Sequence, residues 1–156
     1  MTGCLSCALT QKRDAGEAPP WDSIYRSAFW DLVHAYNTSY FGWLVLVARR
    51  HIEALDEMTF AEAADLGALL REASQALKRH TGCQKTYVMQ FAESADHPHV
   101  HFHIVPRMPG QAPEDIAFRV MRHLGVQASE RCSEDDMNAL ALAIRGQLAS
   151  MRDCTT

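Results

Sequence analysis

No apolar run in this chain is long enough to cross a bilayer. The longest, Phe41 to Ala48, falls far short of the roughly 20 residues that a spanning helix takes. The start shows no basic segment leading into an apolar core, so no export signal is read there. Basic charge is not in excess either: 15 Lys and Arg against 19 Asp and Glu leave a net charge of −4. That excludes a whole-surface footprint for a long nucleic acid, although a local cluster such as Arg49-Arg50-His51 can hold a small phosphorylated ligand. Internal repeats and low-complexity tracts are absent. The cysteines (Cys4, Cys7, Cys83, Cys132 and Cys154) are odd in number, which argues against a disulfide framework and for a reducing compartment, the cytoplasm. What is present is an ordinary globular mixture, 47% hydrophobic and 22% charged over 156 residues. It is enough for one domain with a real core.

Residues 1–20 are polar and turn-rich and are predicted to lie over the domain surface. Ser23 to Tyr36 reads as one or two strands, and Trp43-Leu44-Val45-Leu46-Val47 as a strand buried on both faces. Thr59-Phe60-Ala61-Glu62 is a capping box. Phe60, Ala63, Leu66, Leu70, Ala73 and Leu77 follow at helical spacing to about Lys78, and Gly82 closes the helix. Lys85 to Ala92 and His99 to Pro106 form a predicted strand pair across a turn at Glu93-Ser94-Ala95-Asp96. Pro113 to Leu124 is a weaker helix. Ser133-Glu134-Asp135-Asp136 caps a firmer one, striped by Met137, Leu140, Ile144, Leu148 and Met151. Strands, a long helix, a strand pair and terminal helices make an α+β fold with an antiparallel sheet.

Four of the chain's eight histidines fall within His97-Pro98-His99-Val100-His101-Phe102-His103. Residues two apart on a strand share a face, so His99, His101 and His103 line up while Val100, Phe102 and Ile104 enter the core. A merely solvated face more often uses Thr, Lys or Glu. Two chemistries remain: His-x-His chelation of a metal, as in cupin-like or carbonic-anhydrase-like sites, or one imidazole attacking phosphorus while its neighbours orient it and stabilise the phosphate oxygens.

His99-Val100-His101-Phe102-His103-Ile104-Val105 matches the His-φ-His-φ-His-φ-φ signature (φ apolar) of the histidine triad family of nucleotide hydrolases and transferases. Gly42-Trp43-Leu44-Val45-Leu46-Val47-Ala48-Arg49-Arg50-His51-Ile52 resembles that family's second hallmark, a strand running into a basic pair and a histidine. The resemblance covers roughly residues 20–108. With the terminal helices read above, which it does not cover, the chain divides into an N-terminal segment (1–20), a histidine triad domain (21–108) and a helical C-terminal extension (109–156). By the same resemblance, His101 is the nucleophile, His103 contacts the phosphate and His99 holds its neighbours in place. The implied activity is hydrolysis or transfer at the α-phosphate of a nucleotide conjugate, such as a dinucleoside polyphosphate or nucleoside phosphoramidate. A homodimer is also implied.

Cys4 and Cys7 have the spacing of two zinc thiolates. Incidental thiols are the plain alternative, and a thioredoxin-like redox pair lacks its strand-to-helix context. In zinc-containing histidine triad proteins the remaining ligands are the histidine after the basic pair and the first of the triad. Those positions are His51 and His99, so the resemblance implies a structural zinc on Cys4, Cys7, His51 and His99.

Two positions depart from the family's pattern. Ala35 stands where an Asp or Asn usually holds the ribose hydroxyls, and Asp96 where Ser or Thr helps bind phosphate. Asn37 and His97 lie nearby and, with Trp30 as a pocket wall, are the candidate nucleotide-pocket residues. These departures leave room for a non-catalytic nucleotide-binding protein that keeps the triad only as a pocket. A His-x-His metalloenzyme is the further alternative.

Overall fold

The computed structural model describes residues 3–153; Cys154 lies outside them. An antiparallel sheet of five strands runs in the order β1-β2-β3-β5-β4. The strands are β1 (Tyr25–Arg26), β2 (Trp30–His34), β3 (Leu44–Ala48), β4 (Lys85–Met89) and β5 (His101–Arg107). Helices α1 (Leu5–Asp14), α2 (Phe60–Thr81) and α3 (Glu134–Asp153) complete the α+β fold. Among the described residues no helix is long and apolar enough to cross a membrane.

Every residue of β2 and β3 is buried, because both sheet faces are covered there. On one face Trp30, Leu32, Leu44, Leu46, Phe102 and Ile104 meet α2 and α3 in a single cluster. The other face carries Val33, Ala35, Trp43, Val45, Val47 and Val105. The period of two that turns Phe102 and Ile104 toward the helices turns His101 and His103 the opposite way. The register sets His101 against Val47 and His103 against Val45.

The capping box forms as the sequence indicates. The Glu62 amide donates to Thr59 Oγ1 at 3.2 Å and the Thr59 amide to Glu62 Oε2 at 2.7 Å, while Gly82 ends α2 at φ +72°. The buried stripe of α2 is rotated from the predicted one. It comprises Glu62, Leu66, Leu69, Ala73, Ala76 and Leu77, and Phe60 is 92% exposed. Glu62 turns inward because Arg50 grips its carboxylate at 3.0 and 2.9 Å.

Three further expectations are corrected. Residues 1–20 are not simply a surface-draped segment: α1 occupies half of them. Its buried residues are Ser6, Thr10 and Arg13, a polar stripe at helical spacing that hydrophobic periodicity cannot register. Pro113 to Leu124 makes two 3-10 turns, Pro113–Asp115 and Ala117–His123, because Ile116 is extended and Ala117 left-handed at φ +59°. β4 ends at Met89 and β5 begins at His101, with His99 in the bend before it.

Candidate active site and metal centre

A cavity of about 400 Å³ lies against the β2-β3-β5 face, with His101, His103 and His97 in its wall. This volume is within the usual range for small-molecule sites. His101 Nδ1 lies 2.7 Å from the His99 carbonyl oxygen. A carbonyl only accepts, so the proton sits on Nδ1 and Nε2 carries the lone pair. His103 is the reverse. Trp43 Nε1 donates to His103 Nδ1 at 3.0 Å, which puts the His103 proton on Nε2. The two rings stand edge to face with centroids 4.9 Å apart. Burial pushes the pKa of His103 down to about 3, the His101 ring adding to the effect. Burial also lowers His101, opposed by its bond to the His99 carbonyl. A lone-pair nitrogen and an N–H donor thus stand side by side, both on neutral rings.

His97 stands beside Asp96 in the chain and lines the cavity. Burial lowers its pKa, the nearby His101 adding to it. Its Nδ1 lies 2.8 Å from Ser6 Oγ and its Nε2 3.3 Å from Tyr36 Oη. Asp96 is exposed and does not line the cavity; its main-chain oxygen accepts from the Leu5 amide at 2.8 Å. Asn37 and Ala35 both line the cavity. Trp30 does not: it is fully buried in the helix-side core, its Nε1 donating to the Glu62 carbonyl at 2.9 Å. Position 30 is even-numbered on β2 and shares the face of Leu32, away from the cavity. Sequence reasoning missed Ser6, Leu9, Arg13 and Asp22, which also line the cavity, since α1 carries no apolar stripe and its contacts are long-range.

One donor atom from each of Cys4, Cys7, His51 and His99 lies within 4.8 Å of the others. Cys4 Sγ is 3.5 Å from His99 Nδ1, and Cys7 Sγ is 3.6 Å from His99 Nδ1 and 3.3 Å from His51 Nδ1. A tetrahedral zinc ion separates sulfur from nitrogen by about 3.5 Å, given its usual bond lengths. His99 Nε2 donates to the Ala48 carbonyl at 2.6 Å, which frees Nδ1 as a ligand atom, and His51 Nε2 lies 3.3 Å from Glu53 Oε1. Such outer contacts orient metal-bound imidazoles. Burial, reinforced by Cys4, pushes the bare Cys7 thiol up to about 11, a condition a divalent cation between the sulfurs reverses. The donor set is compatible with zinc.

No family model matches the chain, and no curated protein matches it. Solved structures do. A histidine triad nucleotide-binding protein from Sulfolobus tokodaii superposes with a TM-score of 0.68 at 15% identity, covering 94% of both chains. A zinc-bound histidine triad family protein from Mycobacterium smegmatis gives 0.66 at 18%, covering 95% of this chain and 96% of that one. A Hit-like protein involved in cell-cycle regulation from Bartonella henselae gives 0.65 at 19%, covering 87% and 92%. The chain therefore has the histidine triad fold, with the motif for which that fold is named running into its fifth strand.

Proposed function

We propose that the cavity binds a nucleotide conjugate and that His101 attacks its α-phosphorus. The observation that carries this reading is the hydrogen bond from His101 Nδ1 to the His99 carbonyl, which leaves Nε2 as the nucleophilic atom. In the first step a P–Nε2 bond forms and the bond from phosphorus to the leaving group breaks, the leaving group departing with the electron pair. In the second, water attacks phosphorus, the P–Nε2 bond breaks with its electron pair returning to Nε2, a proton of the water passes to solvent, and the nucleoside monophosphate is released. His103 Nε2–H donates to a phosphate oxygen as charge accumulates there. Two of the structural neighbours add support, one named a hypothetical histidine triad nucleotide-binding protein and another zinc-bound.

Zinc on Cys4, Cys7, His51 and His99 would supply a cross-link between α1 and the sheet, and no chemical step passes through it. The His-x-His metalloenzyme is disfavoured by geometry: His99 Nδ1 points at the two cysteine sulfurs while His101 Nδ1 is committed to a carbonyl.

Intact-protein mass spectrometry after acid-free quenching tests the proposal, using a panel of dinucleoside polyphosphates and adenosine phosphoramidates. The wild type is expected to gain one nucleotidyl mass, and His101→Asn none. Nucleotide binding with no adduct from any donor, unaffected by His101→Asn, identifies a non-catalytic binding protein instead.

A further inference from the structure

The cavity wall is mostly apolar between its histidine end and a second polar group about 10 Å along α1. Ser6, Leu9 and Arg13 all line the cavity. Their spacing of three and four residues puts them on one helix face, and seven residues of helix rise span about 10 Å. At the near end Ser6 touches His97. At the far end Arg13 holds Asp22, which also lines the cavity. The Arg13 and Asp22 side chains are only 2% and 7% exposed.

The hydrogen bonds in this pair are unevenly distributed. Both bonds to the Asp22 carboxylate land on Oδ1, from Arg13 Nη2 at 2.6 Å and Nε at 3.2 Å. Oδ2 is left as an acceptor. Fastening α1 does not require it, because Arg13 Nε also bonds the Asp22 main-chain oxygen at 2.8 Å and Nη1 lies 3.5 Å from Asp31 Oδ2. A carboxylate buried against an apolar wall is costly unless its remaining lone pairs find donors. Burial raises the Asp22 pKa, and the Arg13 guanidinium opposes that rise.

On the reading that the cavity takes a nucleotide, we infer that Asp22 is its specificity-determining acceptor. With the phosphate at His101 and His103, the nucleoside reaches along α1 and presents hydrogen-bond donors to Asp22 Oδ2. A nucleoside offers two sources of such donors, the sugar hydroxyls and the N–H groups of the base. Ligands lacking the relevant donor displace water from Asp22 Oδ2 without replacing its hydrogen bond, and are rejected.

Isothermal titration of the full chain with four probes tests the assignment. AMP against 2′,3′-dideoxy-AMP reports the sugar hydroxyls, and GMP against IMP the exocyclic amine of the base. In the wild type at least one pair is expected to differ by about tenfold or more. Asp22→Asn should bring that ratio close to one. The double variant Arg13→Met with Asp22→Leu should do the same while remaining folded, since replacing a buried ion pair with apolar residues is often neutral for stability. A purely structural role would weaken all four probes together and leave the ratios unchanged, which overturns the assignment. So does loss of discrimination in Asn37→Ala with none in Asp22→Asn. If the wild type binds none of the four, the nucleotide reading falls and this assignment with it.

Discussion

Protonating His103 would place a charge on a buried ring whose Nδ1 already accepts the Trp43 indole N–H, and its pKa falls to about 3. His34 is similarly placed. Its Nδ1 bonds the Ala35 carbonyl at 2.9 Å, its Nε2 accepts the Gly42 amide at 3.0 Å, and burial takes its pKa to about 4. Both rings titrate near 6.5 in an unfolded chain. Below that value the unfolded state binds more protons, so stability is complete above pH 6.5 and declines as pH falls toward the folded values. Thermal melts at pH 7.5 and 4.5 should show a lower Tm at 4.5, and His34→Gln should flatten the difference. Burial lowers the His101 pKa as well, opposed by its bond to the His99 carbonyl.

Helix α1 connects the candidate metal ligands to the cavity. Cys4 and Cys7 flank Ser6, and the helix brings Ser6, Leu9 and Arg13 to the wall. Removing bound zinc with a chelator, or substituting Cys4→Ser and Cys7→Ser together, should therefore loosen α1 and weaken nucleotide binding before the sheet melts. Hydrogen exchange is the measurement: amides of residues 5–14 should lose protection while those of β3 and β5 keep theirs. The elements that local signals define were legible in the sequence. β3 announced itself as an apolar run, α2 by its capping box and terminal glycine, and the β5 histidines by their alternation. Helix α1 was not legible, since its buried side is Ser6, Thr10 and Arg13 and its stability comes from partners distant in the chain. The 113–124 segment failed for a similar reason. The His123 carbonyl accepts from Thr38 Oγ1 at 2.9 Å and from the Ser39 amide at 3.0 Å, and its ring lies 3.0 Å from Ser39 Oγ, partners far away in the chain that a local pattern does not register. The candidate metal ligands were foreseen as a set because a family pattern supplied it; nothing in the spacing of Cys7 and His51 alone brings them together.

In the whole molecule the sheet separates two environments. One face is a dry core in which Leu140, Ile144 and Leu148 of α3 pack with Leu69, Ala73 and Leu77 of α2; the other holds the cavity. Damage to the first should leave the second intact. Ile144→Ala is expected to lower unfolding free energy by about 2–5 kcal/mol, read from urea denaturation, with nucleotide affinity unchanged in the folded protein. His99 is where the N-terminal segment and the β5 strand meet, and it divides its duties within one residue. Its ring faces the cysteine sulfurs, while its main-chain oxygen fixes the His101 tautomer. Every amino acid carries that oxygen. A side-chain substitution at 99 therefore removes the ring's bond to the Ala48 carbonyl and its approach to the cysteine sulfurs, while the oxygen that holds the His101 ring stays with the backbone.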